Sequence, residues 1–187
     1  MKKYVIIFCI ILLFSIIVCG QFLQMHYASD TYNIIYHGYL EYPNLYFLKD
    51  ARIFSTLALY IANFFDLSIN TFIIGMDFIA IIFQCISVLV VYSIIKKIIK
   101  IEENTIKDIM IIICSYLIIF NPMAIEYLLF AESAVMCLSV LLTVLATRFF
   151  IVKHAYIKAL ILLILAALCY QRNNRIVCSI LFFQFYF

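Results

Sequence analysis

The sequence predicts an all-α protein, a polytopic bundle of transmembrane helices with amphipathic interfacial helices in its first outer loop. Three observations carry this expectation. Apolar residues make up 68% of the 187-residue chain and charged ones 12%, with a mean hydropathy of +1.16; a water-soluble domain of this size needs far more polar surface. The apolar runs are continuous rather than alternating. That pattern selects helices over a closed barrel, the two structures that satisfy backbone groups within lipid. With only three Gly and two Pro, long segments run without a helix breaker.

The first element is a span over residues 4–23. Lys2 and Lys3 precede an unbroken apolar run that makes about 30 Å of helix, a full crossing, whereas a signal-peptide core is about 7–15 residues. The stretch Ile16-Ile17-Val18-Cys19-Gly20 lacks the small residues of a cleavage or lipid-attachment site, so the span is expected to be retained.

The loop 24–71 follows, carrying Asp30, Glu41, Asp50 and Asp66 against Lys49 and Arg52. Two amphipathic helices are legible in it. Ser29 is placed to cap a helix over 29–40. Its Tyr32, Ile35, Tyr36 and Tyr39 recur at helical spacing on an apolar face, while Asp30, Asn33 and His37 share a polar one. After Pro43 and Asn44, a second helix over 51–65 has the stripe Ile53, Phe54, Leu57, Ile61, Phe64 and Phe65. Its shortness, and the presence of Ser55, Thr56 and Asn63, suit a helix lying in the membrane interface rather than crossing it.

Four more spans are expected, at 72–95, 106–120, 125–151 and 156–170. The span at 106–120 is short, about 22 Å against roughly 30 Å of hydrocarbon, and closes at Asn121-Pro122. Basic residues fall in three clusters: Lys2 and Lys3; Lys96, Lys97, Lys100 and Lys107; Arg148, Lys153 and Lys158. Two spans separate each successive pair of clusters, so all three share a side, which the positive-inside rule makes cytoplasmic. The N-terminus is then inside a plasma membrane and 24–71 outside. Residues 172–187 form an aberrant tail: after Gln171-Arg172-Asn173-Asn174-Arg175 an apolar run stops before it can span. Residues 1–171 are accordingly expected to be the N-terminal part of a longer membrane domain, with truncation or a frame shift near 171.

Candidate chemistry rests on acids. Asp30 follows the first span by a few residues, where a carboxylate deprotonates a hydroxyl or faces a metal at the membrane surface; the plain alternative is an acid in a helix's first turn, favoured by the dipole. Asp50 and Arg52 flank the second interfacial helix, either binding a lipid phosphate and sugar or simply solvated. Asp77 and Glu132 lie within or at the mouth of spans, and such acids face a bundle interior or a water-filled cleft. His37 is two turns, about 10 Å, from Asp30, too far to share an ion within that helix, so no metal site is predicted. The tyrosines at 27, 32, 36, 39, 42 and 46 either stack on sugars or anchor the loop in the interface. The seven cysteines form no CxxC or Cys/His pattern, which leaves them as small packing residues. No phosphate-cradling Gly loop, HExxH, GxSxG or nucleic-acid-binding stripe occurs, so no nucleic-acid partner is expected.

A first span, then an outer loop with an early acid, then interfacial helices resembles the polytopic GT-C glycosyltransferases. More narrowly, Asp30…Gly38-Tyr39…Asp50-Ala51-Arg52, then Asn121-Pro122…Glu126-Tyr127…Glu132, Ala146 and Leu168-Cys169-Tyr170-Gln171 are similar to the GtrII-type glucosyltransferase domain over residues 4–171. The resemblance implies transfer of a sugar, glucose in that family, from a polyprenyl-phosphate donor to a surface glycan. It makes Asp30 the catalytic base or metal-linked acid, with Asp50 and Arg52 holding the donor, and leaves a divalent cofactor open. Glu132 stands where that pattern leads one to expect Asp. The alternative is a non-enzymatic membrane protein, either a transporter or flippase component with Asp77 and Glu132 lining a path, or an assembly partner.

Overall fold

The computed structural model describes residues 2–24, 28–48, 52–99 and 105–169. Asp50 and the expected tail over 172–187 lie outside the described residues. Among the described residues the chain is helical throughout, without a strand: α1 (Lys2–Cys19), α2 (Ser29–Tyr42), a wide π turn (Pro43–Phe47), α3 (Ile53–Phe64), α4 (Ile69–Ile99), α5 (Thr105–Ile119), α6 (Pro122–Ile125), α7 (Ser133–Ile151) and α8 (Tyr156–Cys169). Among the described residues, three helical segments are long and apolar enough to cross a membrane: Lys3–Phe22, Ile69–Ile99 and Ser133–Ile151. The other two expected spans are the shorter helices α5 and α8, of 15 and 14 residues.

Boundaries differ from the sequence expectation where local chemistry decides them. The long helix α4 starts three residues before 72, because the Ser68 hydroxyl accepts the Thr71 N–H at 3.2 Å and so satisfies a free donor of its first turn. Its 31 residues make about 46 Å of helix. The expected span at 125–151 begins only at Ser133. Residues 122–125 form α6, capped by Asn121, whose Oδ1 accepts the Ala124 N–H at 3.0 Å. Glu126–Leu129 is a 3-10 turn, and Phe130 is extended at φ −103°, ψ 143°, which breaks the helix before α7. In the loop, Ser29 is the first helical residue of α2; Ala28 holds the cap position without a side-chain bond.

Central α4 packs most extensively on α7, which packs on α8; α4 also holds α5 and α1. The contacts fix directions. Tyr4 meets the Tyr92 ring at 6.2 Å while Ser15 lies 3.5 Å from the Cys85 sulfur, so α1 runs antiparallel to α4. Asp108 of α5 binds Lys96 at 3.0 Å and Lys3 at 2.7 Å. Further along α5, Tyr116 reaches Ser15 at 3.5 Å, so α5 runs with α1. Asp77 neighbours Ser133 and Gln84 neighbours Cys137, so α7 runs with α4. The start of α4, the start of α7 and the end of α8 therefore gather at one end, where Phe72, Ile73, Ala134 and Cys169 share a core with Ile34 and Leu59 of the loop helices. Lys3, Lys96 and the turn between α7 and α8 lie at the other end.

The loop helices are folded opposite to a water-facing amphipathic helix. In α3 the buried residues are Ser55, Thr56, Leu59 and Ala62, whereas Ile53, Leu57, Ile61, Phe64 and Phe65 are exposed, Phe64 at 80%. In α2, Thr31, Ile34 and Tyr42 are buried, and Tyr32, Ile35 and Tyr36 point outward.

Candidate functional site

The site forms at the loop end because Gly38 bends α2. Its φ of 74° and ψ of 173° interrupt the helix, a conformation open to glycine and closed to residues with a Cβ. In a straight helix, residues twelve apart are separated by about 18 Å. Here the chain turns back, and the Tyr42 hydroxyl donates to Asp30 Oδ1 at 2.9 Å. Burial, then the charge of Asp30, hold the Tyr42 hydroxyl well above its usual pKa, so Tyr42 stays protonated and donates. Asp30 itself is half-buried in the first turn of α2.

After Tyr42 the π turn Pro43–Phe47 aligns the chain for a return. The Arg52 N–H donates to the Phe47 carbonyl at 2.8 Å, and the guanidinium lies 5.6 Å from the centre of the Phe47 ring, within cation–π range. From the cap position of α3, Arg52 donates from Nη1 to Glu132 Oε1 at 2.5 Å. Glu132 is only 3% exposed and occupies the cap position of α7, where the helix dipole favours a negative charge. Ser55, one turn along α3, lies beside the same carboxylate. Burial outweighs the attraction of Arg52 and holds the Glu132 carboxyl above its ordinary range. Asp30 is close enough to add to that rise.

The structure thus brings three predicted residues together. Asp30, Arg52 and Glu132 come from α2, α3 and the start of α7, and form one cluster with Tyr42 at its centre. Asp77 is separate: it is fully buried on α4 beside Ser133. His37 turns to Glu41, 3.8 Å away, rather than to Asp30. A narrow crevice lined by Ile34, Phe47, Ser55, Phe72, Met76 and Glu132 runs beneath the cluster. Tyr42, in the sequence only one of the loop tyrosines, and Ser55 join the site as well. The signal for Tyr42 was Gly38 in the middle of α2; Ser55 had none, because hydroxyls on an apolar helix ordinarily face outward.

The cluster can accept a proton at Asp30 and present a fixed guanidinium to an anion. Among the described residues no three metal-ligating side chains gather, and one oxygen of Glu132 is already taken by Arg52. These residues do not supply the ligand set of a metal ion. Comparison of the chain with protein-family models, with curated proteins and with solved structures gives no match.

Proposed function

We propose that this chain is a multi-pass membrane glycosyltransferase of the GT-C type, resembling the GtrII-type glucosyltransferase domain. In this reading it moves a sugar, glucose by the resemblance, from a polyprenyl-phosphate carrier to a surface glycan. The observation that carries the reading is the convergence of Asp30 and Arg52 at the end of the helices remote from Lys3 and Lys96. Basic residues mark the cytoplasmic side of a membrane, which puts the N-terminus inside and the cluster on the outer face. The outward apolar faces of α2 and α3 support helices lying in the outer interface, at the depth of a carrier lipid's phosphate.

The reaction follows from the two side chains. Asp30 takes the proton of an acceptor hydroxyl as its oxygen bonds to the anomeric carbon of the sugar. The bond from that carbon to the phosphate oxygen breaks, and the electron pair leaves with the polyprenyl phosphate, whose charge Arg52 stabilises. Asp50 is assigned to the donor by the same resemblance.

The test is transfer of radiolabelled sugar from polyprenyl-phosphate sugar to glycan in membranes containing the full protein. Asp30→Asn should abolish transfer while the protein still inserts. Burial of Asp77 beside the start of α7 favours the transporter alternative, which requires instead that Asp77→Asn or Glu132→Gln abolish function and Asp30→Asn spare it.

A further inference from the structure

We infer that Glu132 is a positioning residue for Arg52: it fixes the guanidinium that receives the donor's phosphate, and so sets donor affinity without touching the reacting atoms. The inference rests on the glycosyltransferase reading. Its basis is geometric. Arg52 and Glu132 are 80 residues apart in sequence, joined at 2.5 Å, and the carboxylate is buried while the Arg52 side chain stays 26% exposed. One side of the guanidinium lies against the Phe47 ring, and Ser55 lies beside the same carboxylate one turn further along α3.

A gain in stability does not account for the pair. Removing a carboxylate from water costs more than a single partner returns unless the geometry is favourable, and here burial outweighs Arg52. What the pair does supply is order. An arginine loses rotamer freedom when it grips a phosphate, and an arginine already held in place has lost that freedom beforehand. The anchor is rigid because Glu132 opens α7, which is packed along α4 and α8. Arg52 starts a short loop helix, and Glu132 ties its guanidinium to the bundle.

The experiment uses the full protein in detergent and in membranes, with two readouts: donor KM and kcat in transfer, and binding of a short-chain polyprenyl phosphate, compared with the matching alcohol. Glu132→Gln should raise donor KM about tenfold or more and lower kcat as well, because the guanidinium loses its place on both the bound and the leaving phosphate, and should weaken phosphate binding in parallel, while Glu132→Asp recovers part of the loss. The exchange Arg52→Glu with Glu132→Arg controls for folding. It should restore the melting temperature but neither donor KM nor phosphate binding, because the guanidinium then sits on the buried side. If the exchange restores KM and binding, or if Glu132→Gln leaves both unchanged, the pair is only a structural tie and the inference fails. If the parent protein neither transfers sugar nor binds the phosphate, the glycosyltransferase reading falls, and the inference with it.

Discussion

Replacing Gly38 by Ala tests how the site is assembled. An added Cβ would meet nothing within 4 Å, so crowding contributes nothing and the whole cost is backbone strain at φ 74°, ψ 173°. Such strain is worth about 1–3 kcal/mol. If the bend relaxes instead, Tyr42 swings away from Asp30 and a hydrogen bond to a carboxylate is lost, at about 1.5–3 kcal/mol. Either route weakens the loop by a similar amount. Because a loop can open without global unfolding, the assay is thiol labelling of Ala62→Cys, a position on the buried face of α3 that is 1% exposed, in a protein lacking Cys9, Cys114 and Cys178. One to three kcal/mol corresponds to a rise of about 5–150-fold in the open fraction, read as an equal rise in labelling rate. Gly38→Asn should do no better than Ala, since a ψ near 173° lies outside the left-handed region that Asn tolerates. Gly75→Ala is the control: it lies within α4 with open space at its Cβ, and alanine there should be neutral or stabilising by about 0.5–1 kcal/mol. Equal labelling in Gly38→Ala and Gly75→Ala would refute the argument that the bend builds the site.

Three further outcomes follow. The chain has no Trp, so Phe64→Trp is a unique reporter for the exposed stripe of α3; its emission should be blue-shifted and quenched by lipids brominated near the headgroup, and water-like emission would contradict an interfacial α3. Folded Glu132 keeps its proton to a higher pH than its ordinary value of 4.5, so its contribution to stability is complete below about 4.5 and is lost as pH rises through the folded value. The stability of the parent protein relative to Glu132→Gln should therefore decline above about pH 4.5, and a gap that widens with pH would contradict burial as the dominant cause. At the basic end, Asp108→Asn removes both lysine contacts of α5 and should lower the melting temperature in low salt more than in high salt; equal loss at both would show that the ion pairs are not what Asp108 provides.

The helical class and the first span were legible because both rest on composition and run length, which tertiary packing does not overturn. The three basic clusters were legible for a related reason: charges sort by the solvent at each helix end, and Asp108 ties two of the clusters directly together. The stripe of α3 was also visible, but periodicity only says that two faces differ. Which face turns inward depends on what the rest of the chain packs against it: Ser55 faces the Glu132 carboxylate and Leu59 and Ala62 enter the core, while Thr56 bonds back to the Arg52 carbonyl of its own helix. The break before Ser133 had no Gly or Pro to announce it: residues 126–132 read as helix-compatible, yet Phe130 is extended. The Arg52–Glu132 pair spans 80 residues and leaves no local trace. Asp30 was found from its place after the first span, whereas its partner Tyr42 required knowing what Gly38 does.

In the proposed arrangement the loop end and the basic end lie on opposite sides of a membrane. Cysteine placed at the exposed Tyr46, and separately at Lys97 near the end of α4, can be labelled in intact cells with a membrane-impermeant maleimide. The account predicts that Tyr46→Cys is labelled at once and Lys97→Cys only after permeabilisation. Labelling of Lys97→Cys from outside, with Tyr46→Cys protected, would contradict it.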